Sequence, residues 1–74
     1  MDIEQTPSDR DALRRAAIYA TRLAALRYET LVVRRQLDNP RNECRRGLLA
    51  IRLDATDART ADIAARLMEA RAAA

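Results

Sequence analysis

The sequence contains no histidine, lysine, tryptophan or phenylalanine, and only one cysteine, one glycine and two prolines among its 74 residues. Without histidine, the commonest acid–base catalyst and metal ligand is missing. No glycine-rich loop is present to hold a phosphate group, and the single cysteine excludes an intrachain disulfide bond. We therefore expect no enzymatic activity, no cofactor, no bound metal and no small-molecule substrate.

Two groups of residues resemble reactive sites, but their context favours structural roles. Cys44 lies among arginines, which can lower the pKa of a thiol. We nevertheless expect it to be a small buried residue in the first turns of a helix. Asp54, Asp57 and Asp62 lack the spacing and the glycine of a calcium-binding loop, so we expect them to be helix caps and solvated positions.

The sequence shows neither an apolar leader nor a membrane-spanning segment. Residues 1–9 are acidic, and the longest uncharged run, residues 16–21, is far shorter than a membrane span of roughly 20 apolar residues. A lone cysteine is typical of a reducing compartment. These features predict a cytoplasmic protein without membrane contact.

The length of the chain predicts a single helical domain over residues 1–74, with a flexible N-terminal tail over residues 1–7. A chain this short buries only about 60% of its unfolded surface and is marginally stable alone. Disulfide bonds and metals are unavailable to it, and oligomerisation is the remaining common source of stability. We therefore expect a homodimer.

Residues 12–37 predict one long helix, because they contain no glycine or proline and repeat apolar residues at alternating steps of three and four. The repeat consists of Ala12, Ala16, Tyr19, Leu23, Leu26, Thr30, Val33 and Leu37. Further apolar residues, among them Ile18, Ala25, Leu31 and Val32, lie elsewhere around the helix. Because such a helix needs cover on a second side, we expect these four residues to contact a partner protein or the second copy of a dimer.

Capping signals define the ends of this helix. Thr6 and Ser8 are alternative N-caps, and Pro7 suits the first helical position because its missing N–H costs nothing there. Pro40 disfavours helical backbone at Asn39, which is then placed to cap a second helix. The short connection predicts that the two helices are antiparallel neighbours.

The second half of the chain repeats the same apolar spacing from Leu49 to Ala70. Two organisations remain open: a single helix over about 40–73, or a break near 54–57 that yields three helices. With a first helix over about 8–37, the predicted fold class is all-α. It is an antiparallel hairpin of two long helices that dimerises into a helical bundle.

A turn at Asn39 also predicts the register of the hairpin. It places Leu26 near Leu53 and Tyr19 near Thr60, so that apolar positions meet and the tyrosine hydroxyl finds a polar neighbour. The apolar residues outside this contact would then form the dimer interface.

All fourteen basic residues are arginine, and the middle of the chain is the most basic part. A polar stripe on the first helix is expected to be solvated or to face acids on a neighbouring helix; it consists of Arg15, Arg22, Glu29 and Gln36. Another group flanks the predicted turn: Arg34, Arg35, Arg41, Arg45 and Arg46. This cluster is our candidate site for nucleic-acid phosphate or an acidic protein surface. The alternative is a solvated cluster near the negative end of the first helix.

These observations favour a small, non-enzymatic helical module for protein–protein interaction. We expect a dimeric inhibitor or adaptor of another protein, of the kind that phages and mobile elements encode. The alternative is an arginine-rich regulator that binds RNA or DNA with the same hairpin-dimer layout. The modest net charge of +3 and the lack of aromatic residues interleaved with the turn arginines to stack bases favour the first function. A structural subunit of a larger assembly is a third hypothesis.

Overall fold

The computed structural model describes residues 7–73, which form two long helices joined by a short 3₁₀ helix. Helix α1 spans Pro7–Asp38, the 3₁₀ helix spans Pro40–Arg45, and helix α2 spans Arg46–Ala73. No strand occurs within these residues, and α1 packs along α2. The predicted all-α helical hairpin is confirmed.

Side-chain contacts between the two helices show that they are antiparallel. Near the turn, the guanidinium group of Arg46 donates a hydrogen bond to the carbonyl oxygen of Leu37 at 3.1 Å. Further along, Arg52 forms an ion pair with Glu29 at 3.0 Å. The later residue of α2, Arg52, thus contacts the earlier residue of α1, Glu29, as expected for antiparallel helices.

Helix α1 begins at Pro7, which is compatible with the fixed φ angle and missing N–H of proline at a first helical position. The helix then continues to Asp38, one residue beyond the predicted end. Most of the predicted tail, residues 1–6, lies outside the described residues, and so does the candidate cap Thr6. Pro7 itself belongs to α1.

The core of the hairpin is the predicted apolar repeat of both helices. Ala12, Leu23 and Val33 of α1 are buried. Their counterparts on α2 are Leu49, Thr56, Leu67 and Ala70. The remaining members of the repeat are half-buried. Each helix is covered by only one other helix, so residues at the edges of the contact stay partly exposed. The core is thus a single layer of side chains.

Threonine hydroxyl groups in the seam are satisfied within their own helices. Thr56 donates to the carbonyl oxygen of Arg52 at 2.9 Å, and Thr60 donates to that of Thr56 at 2.8 Å. Thr30 does the same on α1, donating to the carbonyl oxygen of Leu26 at 3.0 Å. Among the described residues, no buried side-chain nitrogen or oxygen atom lacks a hydrogen-bond partner. Polar residues therefore enter the seam without an unsatisfied donor.

Helix α2 runs without interruption through residues 54–57, so the alternative with three helices is wrong. Threonine can cap a helix, but the hydroxyl group of Thr56 bonds back to a carbonyl oxygen of the same helix. The residue is also 2% exposed and faces the seam. Because the apolar repeat keeps its phase here, burying this face outweighs the local capping signal.

The interruption lies instead at the start of the second half of the chain. As predicted, Asn39 caps a helix, and its side-chain oxygen accepts a hydrogen bond from the backbone N–H of Arg41 at 3.0 Å. The capped helix is the 3₁₀ segment, however, and α2 starts only at Arg46 rather than near residue 40. The prediction of one continuous helix over about 40–73 is therefore wrong at its N-terminal end.

Side chains from the 3₁₀ segment and from the first residue of α2 bond to the end of α1. Asn42 has non-helical backbone angles (φ −98°, ψ 16°), and its amide nitrogen donates to the carbonyl oxygen of Gln36 at 3.0 Å. The same carbonyl oxygen accepts from the backbone N–H of Asn39 at 3.3 Å, and that of Leu37 accepts from Arg46. These bonds pair carbonyl groups in the last turn of α1, where partners within the helix run out.

The longer turn shifts the register of the hairpin from the one predicted. The hydroxyl group of Tyr19 meets the guanidinium group of Arg66, more than one helical turn beyond Thr60. Leu26 borders one groove together with Arg59 and Ile63. The tyrosine hydroxyl group therefore finds a polar neighbour, but this neighbour is Arg66 and not the predicted Thr60.

Cys44 lies on the exposed surface of the 3₁₀ helix. The expectation of a buried residue in the first turns of an α-helix is wrong, because the 3₁₀ segment has no buried residues at all. The segment projects beyond the seam, where α1 no longer covers it.

Candidate interaction surfaces

The described part of the chain offers no metal site and no membrane span. Within residues 7–73, no group of three or more cysteine, aspartate or glutamate side chains is placed to hold a metal ion. Neither of the long helices, as far as they are described, is apolar enough over a sufficient length to cross a bilayer.

The hairpin has two faces, one on each side of the seam. What we call the front face contains a groove bordered by Ala20 and Ala24 of α1 and by Ala64 and Met68 of α2. Seven-residue spacing extends this face along both helices, because residues seven apart share one side of a helix in a packed pair. The floor of the groove is the seam itself.

The back face contains a second groove, bordered by Arg22 and Ala25 of α1 and by Arg59 and Asp62 of α2. Arg22 follows Ala20 by two residues, which turn a helix by about 200° and so place the two side chains on opposite sides of the seam. Both grooves combine apolar residues with two arginines, which are Arg27 and Arg71 at the front and Arg22 and Arg59 at the back.

The back face carries arginines at seven-residue spacing on both helices. The members are Arg15 and Arg22 on α1 and Arg52, Arg59 and Arg66 on α2. Acidic side chains lie among them, as expected for the stripe on α1, and Glu29 itself pairs with Arg52. Sequence reasoning missed the arginines of α2, although their spacing beside the apolar repeat was a usable signal.

Arg66 is the most strongly held arginine of the back face. Its Nε donates to a carboxylate oxygen of Asp62 at 3.1 Å, one helical turn earlier. Hydrogen bonding to the Tyr19 side chain, followed by the interactions with Asp62, raises the pKa of the Arg66 guanidinium above its usual value. Because Tyr19 belongs to the other helix, this contact links α1 to α2 at the open end of the hairpin.

The four predicted contact residues do not form one patch. Ile18, Ala25 and Val32 share one side of α1 and lie next to the back face, where Ala25 borders the groove. Leu31 repeats the spacing of Ala24 and lies at the front face instead. Ile18, Ala25 and Leu31 are exposed, whereas Val32 is half-buried. Their contact with a partner stays a prediction.

The arginine cluster at the turn divides into two roles. Arg34, Arg35, Arg41 and Arg45 are exposed. Arg46 is also exposed, but its guanidinium group bonds to the last turn of α1. Arg46 thus acts as a hydrogen-bond donor at the C-terminal end of α1. Anion binding by the other four stays a prediction.

Three large apolar side chains on the outer surface were not predicted as contact residues. Tyr28 on α1 and Leu48 and Ile51 on α2 are exposed near the turn. Leu48 directly precedes the buried Leu49 in the sequence. Leu48 is not part of the apolar repeat, so the repeat alone indicates that it lies outside the seam. The turn end of the hairpin is therefore both basic and apolar.

No family model, curated protein or solved structure matches the chain. The geometry of the faces and of the turn is thus the basis for a functional proposal. Two features stand out: the grooves on the two faces, each of which combines apolar residues with arginines, and the exposed arginines at the turn.

Proposed function

We propose that this chain is a small, non-enzymatic protein–protein interaction module, a cytoplasmic homodimer that inhibits or adapts another protein. The observation that carries the proposal is the exposure of large apolar side chains around a two-helix rod. Leu31, Leu48, Ile51 and Met68 are each more than half exposed, at 56%, 73%, 67% and 71%. A binding partner would cover these side chains, and contiguous exposed apolar surface is the feature that marks protein interaction sites.

The total accessible surface supports docking by further chains. The chain has 5904 Å² of accessible surface and a mass of 8.4 kDa. A compact monomer of that mass exposes about 4,600 Å². The excess of about 1,300 Å² is larger than the roughly 800 Å² that each partner contributes to a standard-size interface. The rod shape, 64 Å long and 14 by 12 Å across its Cα atoms, accounts for this excess.

The side of α1 next to the back face is the best candidate for the second protein. Ile18 and Ala25 supply exposed apolar contacts there, and Arg22 and Arg59 lie beside them. Apolar anchors with adjacent arginines fit a partner surface that is apolar at its centre and acidic at its rim.

We expect the tagged protein to recover one protein from its native cell lysate in near-stoichiometric amount, with or without nuclease. Ile18→Asp should abolish this recovery, because it places an unpaired carboxylate in the apolar part of the contact. Tyr28→Asp is the matched control on the outer surface of α1 and should retain the partner. Mass spectrometry of the eluates measures all three baits.

Retention of the partner by Ile18→Asp would contradict this assignment of the contact. Loss of all protein partners on nuclease treatment would favour the second candidate function, in which the chain binds RNA or DNA. That candidate rests on the exposed arginines at the turn, Arg34, Arg35, Arg41 and Arg45.

For the nucleic-acid function, salt titration gives a separate test. If the turn binds duplex DNA, log K should fall against log salt with a slope of about −0.9 for each phosphate neutralised. Arg41→Gln should reduce the slope by about one such step, while Arg59→Gln on the back face should leave it unchanged. Fluorescence anisotropy with a labelled duplex measures the slope. Binding that is absent or insensitive to salt would exclude this function.

A further inference from the structure

One contact of the back face recurs seven residues further along each helix, but with like charges. Glu29 and Arg52 form an ion pair at 3.0 Å. Because the helices are antiparallel, a step of seven residues towards the open end leads to Arg22 on α1 and to Arg59 on α2. We call these two residues the arginine pair. They have the same relative placement as the ion pair, and both border the groove of the back face.

Neither charge of the arginine pair is neutralised by another described residue. Both side chains are exposed, and the ion pairs within residues 7–73 join other arginines to Glu29 and Asp62. Asp62 borders the same groove, but its Oδ2 already accepts a hydrogen bond from Arg66. The groove therefore keeps an excess of positive charge at the arginine pair.

The front groove also has two arginines, but they lie far apart. The contact between Tyr19 and Arg66 fixes one level of the rod. From that level Arg27 lies eight residues towards the turn, whereas Arg71 lies five residues towards the open end. These two are therefore about 20 Å apart along the rod, while the members of the arginine pair are about 6 Å apart by the same measure. Of the two sets, only the arginine pair is close enough for both guanidinium groups to bind one anionic group.

The floor and one edge of the back groove are apolar. Leu26 and Ile63, both half-buried, line the groove together with the arginine pair. Ala25 borders it on α1, and Ile18 and Val32 repeat the position of Ala25 one heptad away on either side. An occupant must therefore combine an anionic group with apolar groups. A nucleic-acid backbone supplies the anionic group alone, whereas an amphipathic protein segment supplies both.

The spacing of the apolar edge selects a helix as that segment. Ile18, Ala25 and Val32 recur every seven residues, which corresponds to about 10.5 Å along a helix. A helix packed alongside has the same repeat and stays in step with them. Side chains on one face of a strand recur about every 6.6 Å, so a strand falls out of step after one contact.

We propose that the back groove binds an amphipathic helix of the partner protein, with an acidic side chain of that helix held between Arg22 and Arg59. The inference rests on the proposed function, and it names the element and the charge that the partner presents. The apolar side of the helix covers Leu26 and Ile63, in the manner of helix-in-groove recognition. Its carboxylate supplies the opposite charge that the arginine pair lacks within the hairpin.

Two labelled synthetic peptides test the class of ligand. The probe is a helix of about three heptads with leucine at positions a and d and glutamate at e and g, where like charges prevent it from pairing with itself. The matched peptide carries lysine in place of glutamate. Fluorescence anisotropy should show that the glutamate peptide binds the full chain at least about tenfold more tightly. High salt should reduce this difference, because the arginines are exposed.

Glutamine substitutions test the location of the site. Arg22→Gln and Arg59→Gln should each weaken binding of the glutamate peptide about tenfold, because each removes one of the two guanidinium groups. Arg27→Gln is the matched control, since it removes the same charge from the front groove, and it should bind the peptide as the unmodified protein does. Circular dichroism confirms that each variant is helical.

Arg22→Glu separates binding from a structural role of the arginine. It creates at this level the same combination of charges as Glu29 and Arg52. The midpoint of thermal unfolding should therefore be unchanged or rise by up to about 5 °C. Binding of the glutamate peptide should nevertheless be lost, because a carboxylate then faces the groove. A lower midpoint would show that Arg22 serves the hairpin itself, and would overturn the inference.

Preference for the glutamate peptide that is lost on substitution of the arginine pair, but kept in Arg27→Gln, supports the inference. Equal binding of the two peptides, binding of neither, or no effect of the substitutions would overturn it. Binding of a labelled DNA duplex that depends on the arginine pair would also overturn it, because the site would then take phosphates.

The native lysate distinguishes failure of this site from failure of the proposed function. If Arg22→Glu still recovers the partner protein, the proposed function stands and the arginine pair is not its site. If the glutamate peptide binds at the arginine pair but no partner is recovered by any bait, the site stands and the proposed function is contradicted.

Discussion

Leu67→Ala is expected to lower the free energy of unfolding by about 2–5 kcal/mol, the range measured for leucine truncation in protein cores. Leu67 is 6% exposed and lies in the single layer of side chains between the helices. A core of a chain this small rarely supplies more than about 3–5 kcal/mol in total. The substitution should therefore unfold most of the protein at room temperature.

Leu48→Ala is the matched control, because it removes the same atoms from a leucine on the same helix that is 73% exposed. It should change the free energy of unfolding by less than about 0.5 kcal/mol. Urea titration followed by circular dichroism measures both variants, at one fixed protein concentration because dimerisation would contribute to stability. Similar losses for the two variants would contradict the assignment of the seam.

The seam is the part of the fold that the sequence predicts best. Every member of the repeat on α1, from Ala12 to Leu37, is buried or half-buried, and so is every member on α2 from Leu49 to Ala70. The reason is physical: a helix pair buries residues at steps of three and four, and this spacing is visible directly in the sequence. The same continuity of phase correctly favoured an unbroken α2 at residues 54–57.

The turn could not be predicted to the same detail. The capping role of Asn39 was predictable from the following proline, because both effects are local. The contacts of Asn42 and Arg46 with the end of α1 are not local, since they join residues six and nine positions apart. Those contacts set the length of the 3₁₀ segment, and hence the register and the exposure of Cys44.

The candidate surfaces were predicted only in part. The sequence indicated that Ile18, Ala25, Leu31 and Val32 lie outside the seam, and the seven-residue spacing already separates Leu31 from the other three. The groove that each set borders depends on the position of the second helix, and that position becomes apparent only in the structure.

Ala55→Pro is expected to destabilise the hairpin by about 3 kcal/mol or more. Residue 55 lies inside the unbroken α2, and proline there removes one backbone hydrogen bond and clashes with the preceding turn. The side chain of Ala55 is exposed, so the loss would come from the backbone and not from a cavity. The same substitution would be well tolerated if a helix ended at residues 54–57.

Ala55→Gly separates this effect from a general loss of helix propensity. It keeps the backbone N–H and should cost only about 1 kcal/mol. Thermal and urea unfolding, followed by circular dichroism, give the two differences under the same conditions. A proline variant no less stable than the glycine variant would show that the chain is interrupted at this point. The two halves of α2 would then be free to move separately, and the buried residues Leu49 and Leu67 would no longer be held on one rigid helix against α1.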